Sequence, residues 1–491
     1  MLDILLINVP RLSVAYPPAA PSLLKAIVEN AGFSAKVKDY NLEFFIKFKN
    51  SNDYDLIDSY FANGTAINKK QEFKITSAFD EWVDDIININ PKWLGISVFT
   101  YECQIATKIL VTKLRKKFKG KIVIGGAGIS SGGIASDEND FGHSLYKENL
   151  IDYYIRGEGD NSLVKLLSGE TNFNGINNDK YQQIEDLNKI PFPNYDDIID
   201  LKYEYSNGNV QLPITGSRGC VRDCTFCDIH MFWKKYKYRD GTNIANEIIH
   251  HYQKYGTKSF YFTDSLINGS MKSFRDFCKT LILYYENNNL PYGFFQWGGQ
   301  FIIRNEKQMN KDDYINMKKA GCNGLAMGVE SGSNEVLLHM KKTYTVENLD
   351  FTIEQLNHNN INCYFLIIVG YPTETLKNFN ETIKMFERYQ KYALNGTIFG
   401  VNLGTTLSID YGTPLFLNQK ELKISHAYHN DTYFYGLNWI SENTPELTLE
   451  ERIKRRLILQ EKLMDLGYTV WNGDNHLQRI MASYDKITNK N

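Results

Sequence analysis

The chain predicts an α/β protein: a doubly wound parallel sheet, then a partial (β/α)6 barrel, then a C-terminal helical tail. Three observations predict it. Residues 1 to about 170 alternate short apolar strands with amphipathic helices, the pattern of an open parallel sheet covered on both faces. After a stretch rich in Asn, Asp and Pro, strand–helix alternation resumes near residue 206. Beyond 430, a capping box opens one long charged amphipathic helix. The expected divisions are a first domain over 1–170, a linker over 171–205, a barrel over 206–430 and an extension over 431–491.

In order, Leu2–Asn8 reads as a buried first strand, Ala20–Asn30 as a helix stopped at Gly32, and Ala35–Asp39 as the next strand. A polar, aromatic insertion fills about 41–75. Trp93–Phe99 is a strand, Gln104–Phe118 a helix, and Lys121–Gly125 and Ile151–Ile155 complete the sheet, with Asn161–Leu167 helical behind it. Ligands of such sheets bind at the carboxyl ends of the strands, where Pro10–Pro21, Val98–Glu102 and Gly125–Gly133 form loops. Gly125-Gly126-Ala127-Gly128 follows a strand, but Ser131 stands where a dinucleotide fingerprint needs its last glycine, and the run comes late in the domain. A cofactor lying across the sheet edge is the better reading.

Pro191-Phe192-Pro193-Asn194 marks the linker. The barrel strands are Val210–Thr215, Ser259–Thr263, Gly293–Trp297, Gly324–Val329, Cys363–Val369 and Thr397–Leu403, and the last helix runs from the capping box Thr448-Leu449-Glu450-Glu451 through Leu466.

At 491 residues the chain has room for about three domains. It is 43% hydrophobic and 23% charged, ordinary for a globular protein. A net charge of −2 supplies no global field toward nucleic acid or an anionic membrane. No apolar run approaches the length of a membrane span, and the N-terminus carries Asp3 and no basic leader. The expected location is the cytoplasm, where free thiols survive.

Three of the seven cysteines, Cys220, Cys224 and Cys227, fall within eight residues as C-x3-C-x2-C. Three thiolates on one loop can hold three irons of a 4Fe-4S cluster and leave the fourth open to another ligand. A structural zinc site is the alternative, with His230 completing Cys3His, although all four ligands would then crowd into eleven residues. The odd cysteine count and missing leader argue against a disulfide framework.

The other barrel strands also end on polar groups: Thr263-Asp264-Ser265, Gly328-Val329-Glu330-Ser331-Gly332-Ser333 and Gly370-Tyr371-Pro372-Thr373-Glu374. Singly, Asp264 and Ser331 read as helix caps and Gly370-Tyr371-Pro372 as a turn. Around a three-cysteine loop they read as one site at a barrel mouth.

Cys220-x3-Cys224-x2-Cys227, with Phe226 before the last cysteine, resembles the signature of radical S-adenosylmethionine (radical SAM) enzymes. Ser217-Arg218-Gly219, Gly328–Ser333 and Gly370–Glu374 resemble members with an N-terminal cobalamin-binding domain. Pro17-Pro18, Gly95-Ile96-Ser97, Gly125-Gly126 and Arg156-Gly157-Glu158-Gly159 resemble that domain in order and spacing. The resemblance covers roughly residues 1–430 and implies a Rossmann-like cobalamin domain ahead of a TIM-like radical SAM core. It implies that Cys220, Cys224 and Cys227 hold the cluster, whose open iron is chelated by S-adenosylmethionine. Reductive cleavage then gives methionine and a 5′-deoxyadenosyl radical. Phe226, Asp264, Glu330, Ser331 and Gly370 match S-adenosylmethionine contacts. Cobalamin would be held by Thr100, Tyr101, Gly125, Gly126, Gly128 and Glu158. The Asp-x-His-x-x-Gly loop of many cobalamin proteins is absent, and the first histidine is His143, so the resemblance implies cobalamin without a histidine ligand.

The leading function is cobalamin-mediated methyl transfer to an unactivated centre of a small molecule or peptide, with an electron donor such as flavodoxin or ferredoxin. A radical cyclase or rearrangement enzyme with a vestigial cobalamin domain is the alternative, and a metal-stabilised module without turnover the third reading. Trp233-Lys234-Lys235-Tyr236-Lys237-Tyr238-Arg239 could grip a phosphate-bearing substrate, but a solvated helix face explains it more simply. Cys103, Cys278, Cys322 and Cys363 lack partners for a second cluster.

Overall fold

The computed structural model describes residues 1–471 except 131–139, 179, 205–209, 405, 411 and 427–435. Ser131 and part of the C-terminal extension therefore lie outside the described residues. The chain forms two compact units. The first is Met1–Ile214 with Phe232–Lys237 and Glu247–Ser259; the second is Thr215–Met231, Tyr238–Asn246 and the chain from Phe260 onward.

The first unit holds a five-stranded sheet of β1 (Ile4–Asn8), β2 (Ala35–Asp39), β3 (Trp93–Ser97), β4 (Lys121–Gly125) and β5 (Tyr153–Ile155), ordered β2-β1-β3-β4-β5. All pairs are parallel. Every residue of β1 is buried, as a strand covered on both faces requires. The order reverses between β1 and β3, which is where doubly wound sheets open a crevice for ligands.

The insertion at 41–75 is not irregular. It folds into helices α1 (Tyr40–Phe48), α2 (Tyr54–Asn63) and the start of α3 (Lys69–Ile89). Its aromatics pack against one another: Tyr40 stacks on Trp82 at 5.1 Å, and Phe44 meets Phe61 edge-on at 5.3 Å. A capping box of Asn68 and Gln71 starts α3. The expected linker is also bound into this unit. Asp197 accepts from Lys25 Nζ at 2.5 Å and Val37 N at 2.9 Å, and Tyr203 donates to Asp39 at 2.9 Å.

The second sheet has seven strands, in the order Val470–Trp471, Ile398–Asn402, Asn362–Ile367, Cys322–Glu330, Gln296–Phe301, Ser259–Phe262 and Gln211–Ile214. The six expected strands are present as an open, partial barrel. The third begins later than the sequence suggested, at Gln296, because Gly293 takes a left-handed φ of 72° and Phe294 closes a turn onto Pro291. The extension is more than a helix. Helix α4 (Leu449–Asp465) buries Arg452, Arg455 and Arg456, and Val470–Trp471 adds the seventh strand beside Val401 and Asn402.

Gly126 has a φ of 117°, and a Cβ there would stand 2.4 Å from the carbonyl oxygen of Val98. Gly126→Ala should cost about 2–4 kcal/mol through backbone strain and that clash. A thermal scan checks it: the melting midpoint should fall by several degrees, and an unchanged midpoint would contradict this placement.

Candidate active site

The strand Gln211–Ile214 delivers the chain into the cysteine loop. Asp264, at the end of the next strand, fixes that entry: one carboxylate oxygen accepts from Gly216 N at 2.9 Å and the other meets Ser217 Oγ at 2.6 Å. Asp264 is buried, and burial pushes its carboxyl up to about 7 against these hydrogen bonds. It serves as the root of the loop.

Within the loop, Thr225 lies between two of the cysteines and carries three tethers. Its N–H donates to Met340 O at 3.1 Å and its carbonyl accepts from Leu415 N at 2.7 Å. Its hydroxyl stands 2.8 Å from that of Tyr371, which donates to His339 O at 3.0 Å. With the tyrosine proton used on His339, Thr225 is the donor of the pair.

All three motif cysteines are free; Cys224 is buried and Cys220 and Cys227 are half-buried. Burial raises each thiol, Cys227 to about 12, so binding a metal must displace their protons. Arg222 N lies 3.4 Å from Cys220 Sγ, a contact that favours thiolate. Once deprotonated by the metal, this soft set of three has the donor chemistry of three corners of an iron–sulfur cubane. Among the described residues no three His, Cys, Asp or Glu side chains group around a single metal ion. His230 Nε2 lies 2.6 Å from Arg222 O and 3.3 Å from Asp223.

Glu330 holds a left-handed φ of 60° and accepts from Lys342 Nζ at 2.8 Å. The same ammonium lies 5.5 Å above the Phe226 ring. Ser331 turns away into packing, with its hydroxyl 3.3 Å from Thr382 Oγ1 and accepting from Ser333 N at 3.2 Å. Gly370 has a φ of 82° and donates to Glu374 at 3.3 Å. A Cβ on it would lie 2.5 Å from Arg452 Cγ, so the arginine stem is laid against the glycine.

In the first unit, Gly126 and Gly128 fit closely against the loop after β3. A Cβ on Gly128 would stand 2.2 Å from Thr100 O, and Gly128 N donates to Val98 O at 2.9 Å. Gly125 ends β4 against Ile155. This packing leaves Phe99 60% and Tyr101 51% exposed at the carboxyl end of β3, an apolar surface that fits the flat face of a corrin. Glu158 instead accepts from Ile184 N, while its own N–H donates to Gln182 O at 2.9 Å. His143 Nδ1 lies 3.4 Å from Tyr154 OH.

The sequence reading passed over Thr225, the Tyr371 hydroxyl, Lys342 and Arg452. Thr225 could have been noticed inside the motif. Lys341-Lys342 resembles an ordinary surface pair, and the arginines of α4 resemble a solvated helix face.

Residues 214–386 match the family model of the Radical SAM superfamily; this part of the chain is a radical SAM domain. The anaerobic magnesium-protoporphyrin IX monomethyl ester cyclase of Synechocystis sp. is 24% identical over 265 residues, covering 50% of this chain and 50% of that protein. The chain spans about half the length of the curated relatives it matches. The radical S-adenosylmethionine methyltransferase TsrM from Kitasatospora setae, with tryptophan substrate and a SAM analogue bound, is 14% identical with a TM-score of 0.64, covering 99% of this chain and 100% of that one. The cobalamin-dependent S-adenosylmethionine radical enzyme OxsB with aqua-cobalamin bound is 18% identical with a TM-score of 0.58, covering 86% and 56%. At these identities the two likenesses are ones of fold: a parallel five-stranded sheet joined to a radical SAM barrel.

The raised Asp264 carboxyl has a consequence for stability. Folding holds a proton that the unfolded chain releases above about pH 4, so this stabilisation is lost as pH rises through about 7. Asp264→Asn should flatten the decline in stability across that interval, measured by chemical denaturation at several pH values. An identical pH dependence in both proteins would contradict a raised Asp264.

Proposed function

We propose that the protein is a radical SAM enzyme that transfers a methyl group, by way of cobalamin, to an unactivated centre of a small molecule or peptide. The observation that carries the reading is the three-thiolate loop, rooted by Asp264 and clamped through Thr225, inside a radical SAM domain. Cys220, Cys224 and Cys227 would hold a 4Fe-4S cluster, Phe226 would pack beside bound S-adenosylmethionine, and Glu330 and Gly370 would line its site.

When bound, the cluster supplies one electron for reductive cleavage of the sulfonium to a 5′-deoxyadenosyl radical, and cobalamin supplies a methyl carrier. The chain's residues position and protect. Tyr371, Thr225 and Met340 restrain the loop so that the ligands keep their spacing. The largely buried walls around Cys224, Glu330 and Tyr371 limit water and stray C–H bonds near a reactive carbon radical. Phe99 and Tyr101 would contact bound cobalamin, with no histidine required. The electron would come from a protein donor such as flavodoxin or ferredoxin. Among the described residues no helix is long and apolar enough to cross a membrane.

The cyclase relative favours a second reading, in which the same radical drives ring closure or rearrangement without methyl transfer. Product analysis separates the two: methyl transfer should yield S-adenosylhomocysteine together with 5′-deoxyadenosine, whereas cyclisation yields the latter alone.

Anaerobic reconstitution should load about four irons per chain and permit reductive cleavage of S-adenosylmethionine. Cys224→Ala should abolish that cleavage, and a variant that still cleaves would overturn the ligand assignment. Anaerobic purification with cobalamin should give a protein fraction carrying a corrinoid spectrum; a fraction without corrinoid bands would remove cobalamin from the proposal.

A further inference from the structure

The sheet of the second unit has one face packed on helices and a second that is partly open. Phe301, Met327, Phe365 and Val401 lie side by side on four adjacent strands and are all buried. Phe365 meets Phe386 and Tyr389 of the helix Leu376–Leu394 at 6.2 and 6.4 Å. Successive side chains of a strand point to opposite faces. The preceding residues Gln300, Ala326, Tyr364 and Gly400, also in register, therefore form the inner face. A closed barrel fills that face with packed side chains. Here Gln300 is exposed, and Tyr364 and Leu366 are half-buried.

The inner face changes character from one side to the other. Thr263 is exposed and follows Phe262, which packs on Phe277 of the helix Met271–Asn287 at 5.5 Å. Its hydroxyl lies 2.9 Å from that of Thr215. With Gln300, these residues make a side of hydroxyls and an amide. On the other side the Trp471 ring lies over Gly400, where a Cβ would stand 2.6 Å from it, and meets Tyr364 at 5.3 Å. Gly324, two residues before Ala326, shares the same face. Its φ is not left-handed, and a Cβ on it would meet no described atom within 4 Å. Neither backbone nor packing requires glycine there, and a strand glycine of that kind marks a place where another molecule approaches closely. Three strand spacings separate Gln300 from Gly400, about 14 Å, enough for a two-ring molecule lying flat.

We propose that this inner face binds the enzyme's substrate, and that the substrate is a flat, uncharged molecule with a hydrogen-bonding edge. Thr215, Thr263 and Gln300 meet that edge, Leu366 and Trp471 cover the apolar end, and the bare backbone at Gly324 lets the plane lie against the sheet. The inference rests on the radical SAM reading above and names its substrate class. None of these residues is charged, so an ionised group on the ligand would lose its hydration without gaining a counter-charge. At the rim, Glu330 and Lys342 neutralise each other at 2.8 Å. A Cβ on Gly328, two residues beyond Ala326, would stand 2.5 Å from Glu330 Oε1, and the Lys342 ammonium lies 5.5 Å above the Phe226 ring. The face therefore runs up to the cysteine loop, where the carbon radical would form.

The test is anaerobic binding of four matched probes to the reconstituted, oxidised full-length protein with S-adenosylmethionine in excess. The probes are 2-naphthamide, 2-naphthol, 2-naphthoate and 2-naphthylmethylammonium, followed by saturation-transfer nuclear magnetic resonance and calorimetry. The two neutral probes should bind, and the two charged ones at least tenfold more weakly. Gly324→Val should weaken the neutral probes at least tenfold while the melting midpoint holds or rises, because a β-branched residue suits a strand. Gln300→Leu should weaken 2-naphthamide about fivefold, the loss of one hydrogen bond. The inference is overturned if neither neutral probe binds, if the charged probes bind equally well, or if Gly324→Val changes nothing. It is also overturned if excess S-adenosylmethionine displaces the neutral probes, since the face would then belong to that molecule. Should Gly324→Val fail to fold, Gln300→Leu and Trp471→Leu decide the question, and unchanged affinity in both overturns it. Cluster loading and cleavage of S-adenosylmethionine are scored separately. Their failure overturns the radical SAM reading, whereas intact cleavage with no neutral probe bound overturns this inference alone.

Discussion

A pair of hydroxyls holds the candidate site together. Thr225, set between two candidate ligands, meets Tyr371 at 2.8 Å, and the Tyr371 hydroxyl donates to the backbone carbonyl of His339 at 3.0 Å. A loop carrying three thiolates has few apolar contacts of its own and must be fixed by neighbours. Here the neighbours are the end of the fifth barrel strand, the turn at Met340 and the segment at Leu415. Each hydrogen bond contributes only about 1 kcal/mol net. Their value lies in geometry, because together they fix the course of the loop that carries the three sulfurs.

The strand end that supplies Tyr371 is itself braced from the C-terminal helix. Arg452 lays its stem on Gly370, stacks its guanidinium 3.7 Å from the Trp439 ring centre and donates to Leu437 O at 2.7 Å. Burial lowers the Arg452 pKa to about 9. Arg455 donates to the backbone carbonyl of Glu374 at 2.9 Å, and burial lifts the Glu374 carboxyl to about 7 despite that arginine. Buried charge of this kind is poorly rewarded in stability, and its effect is to fix one arrangement of the Gly370–Glu374 turn. The helix that looks peripheral in the sequence is thus part of the scaffold beneath the cysteine loop.

Most of the fold was legible because parallel strands buried on both faces leave unmistakable apolar runs, such as Ile4–Asn8 and Lys121–Gly125. The insertion at 41–75 was not, since its helices carry polar outer faces and reveal their periodicity only through the packing of Phe44, Phe61 and Trp82. The three-cysteine loop was legible from spacing alone. Its supports were not: a threonine, a tyrosine hydroxyl and a lysine gain meaning only from partners more than a hundred residues away, or across a tight turn. The partners of Ser331 were not legible either: its hydroxyl lies 3.3 Å from that of Thr382.

The central claim is a cluster with three protein ligands and one open iron. Mössbauer spectroscopy of protein reconstituted with iron-57, before and after S-adenosylmethionine is added, tests it most directly. The account predicts that about one iron in four changes its spectrum on addition while the other three do not. Four irons that all ignore S-adenosylmethionine, or iron that never assembles into a cluster, would contradict it.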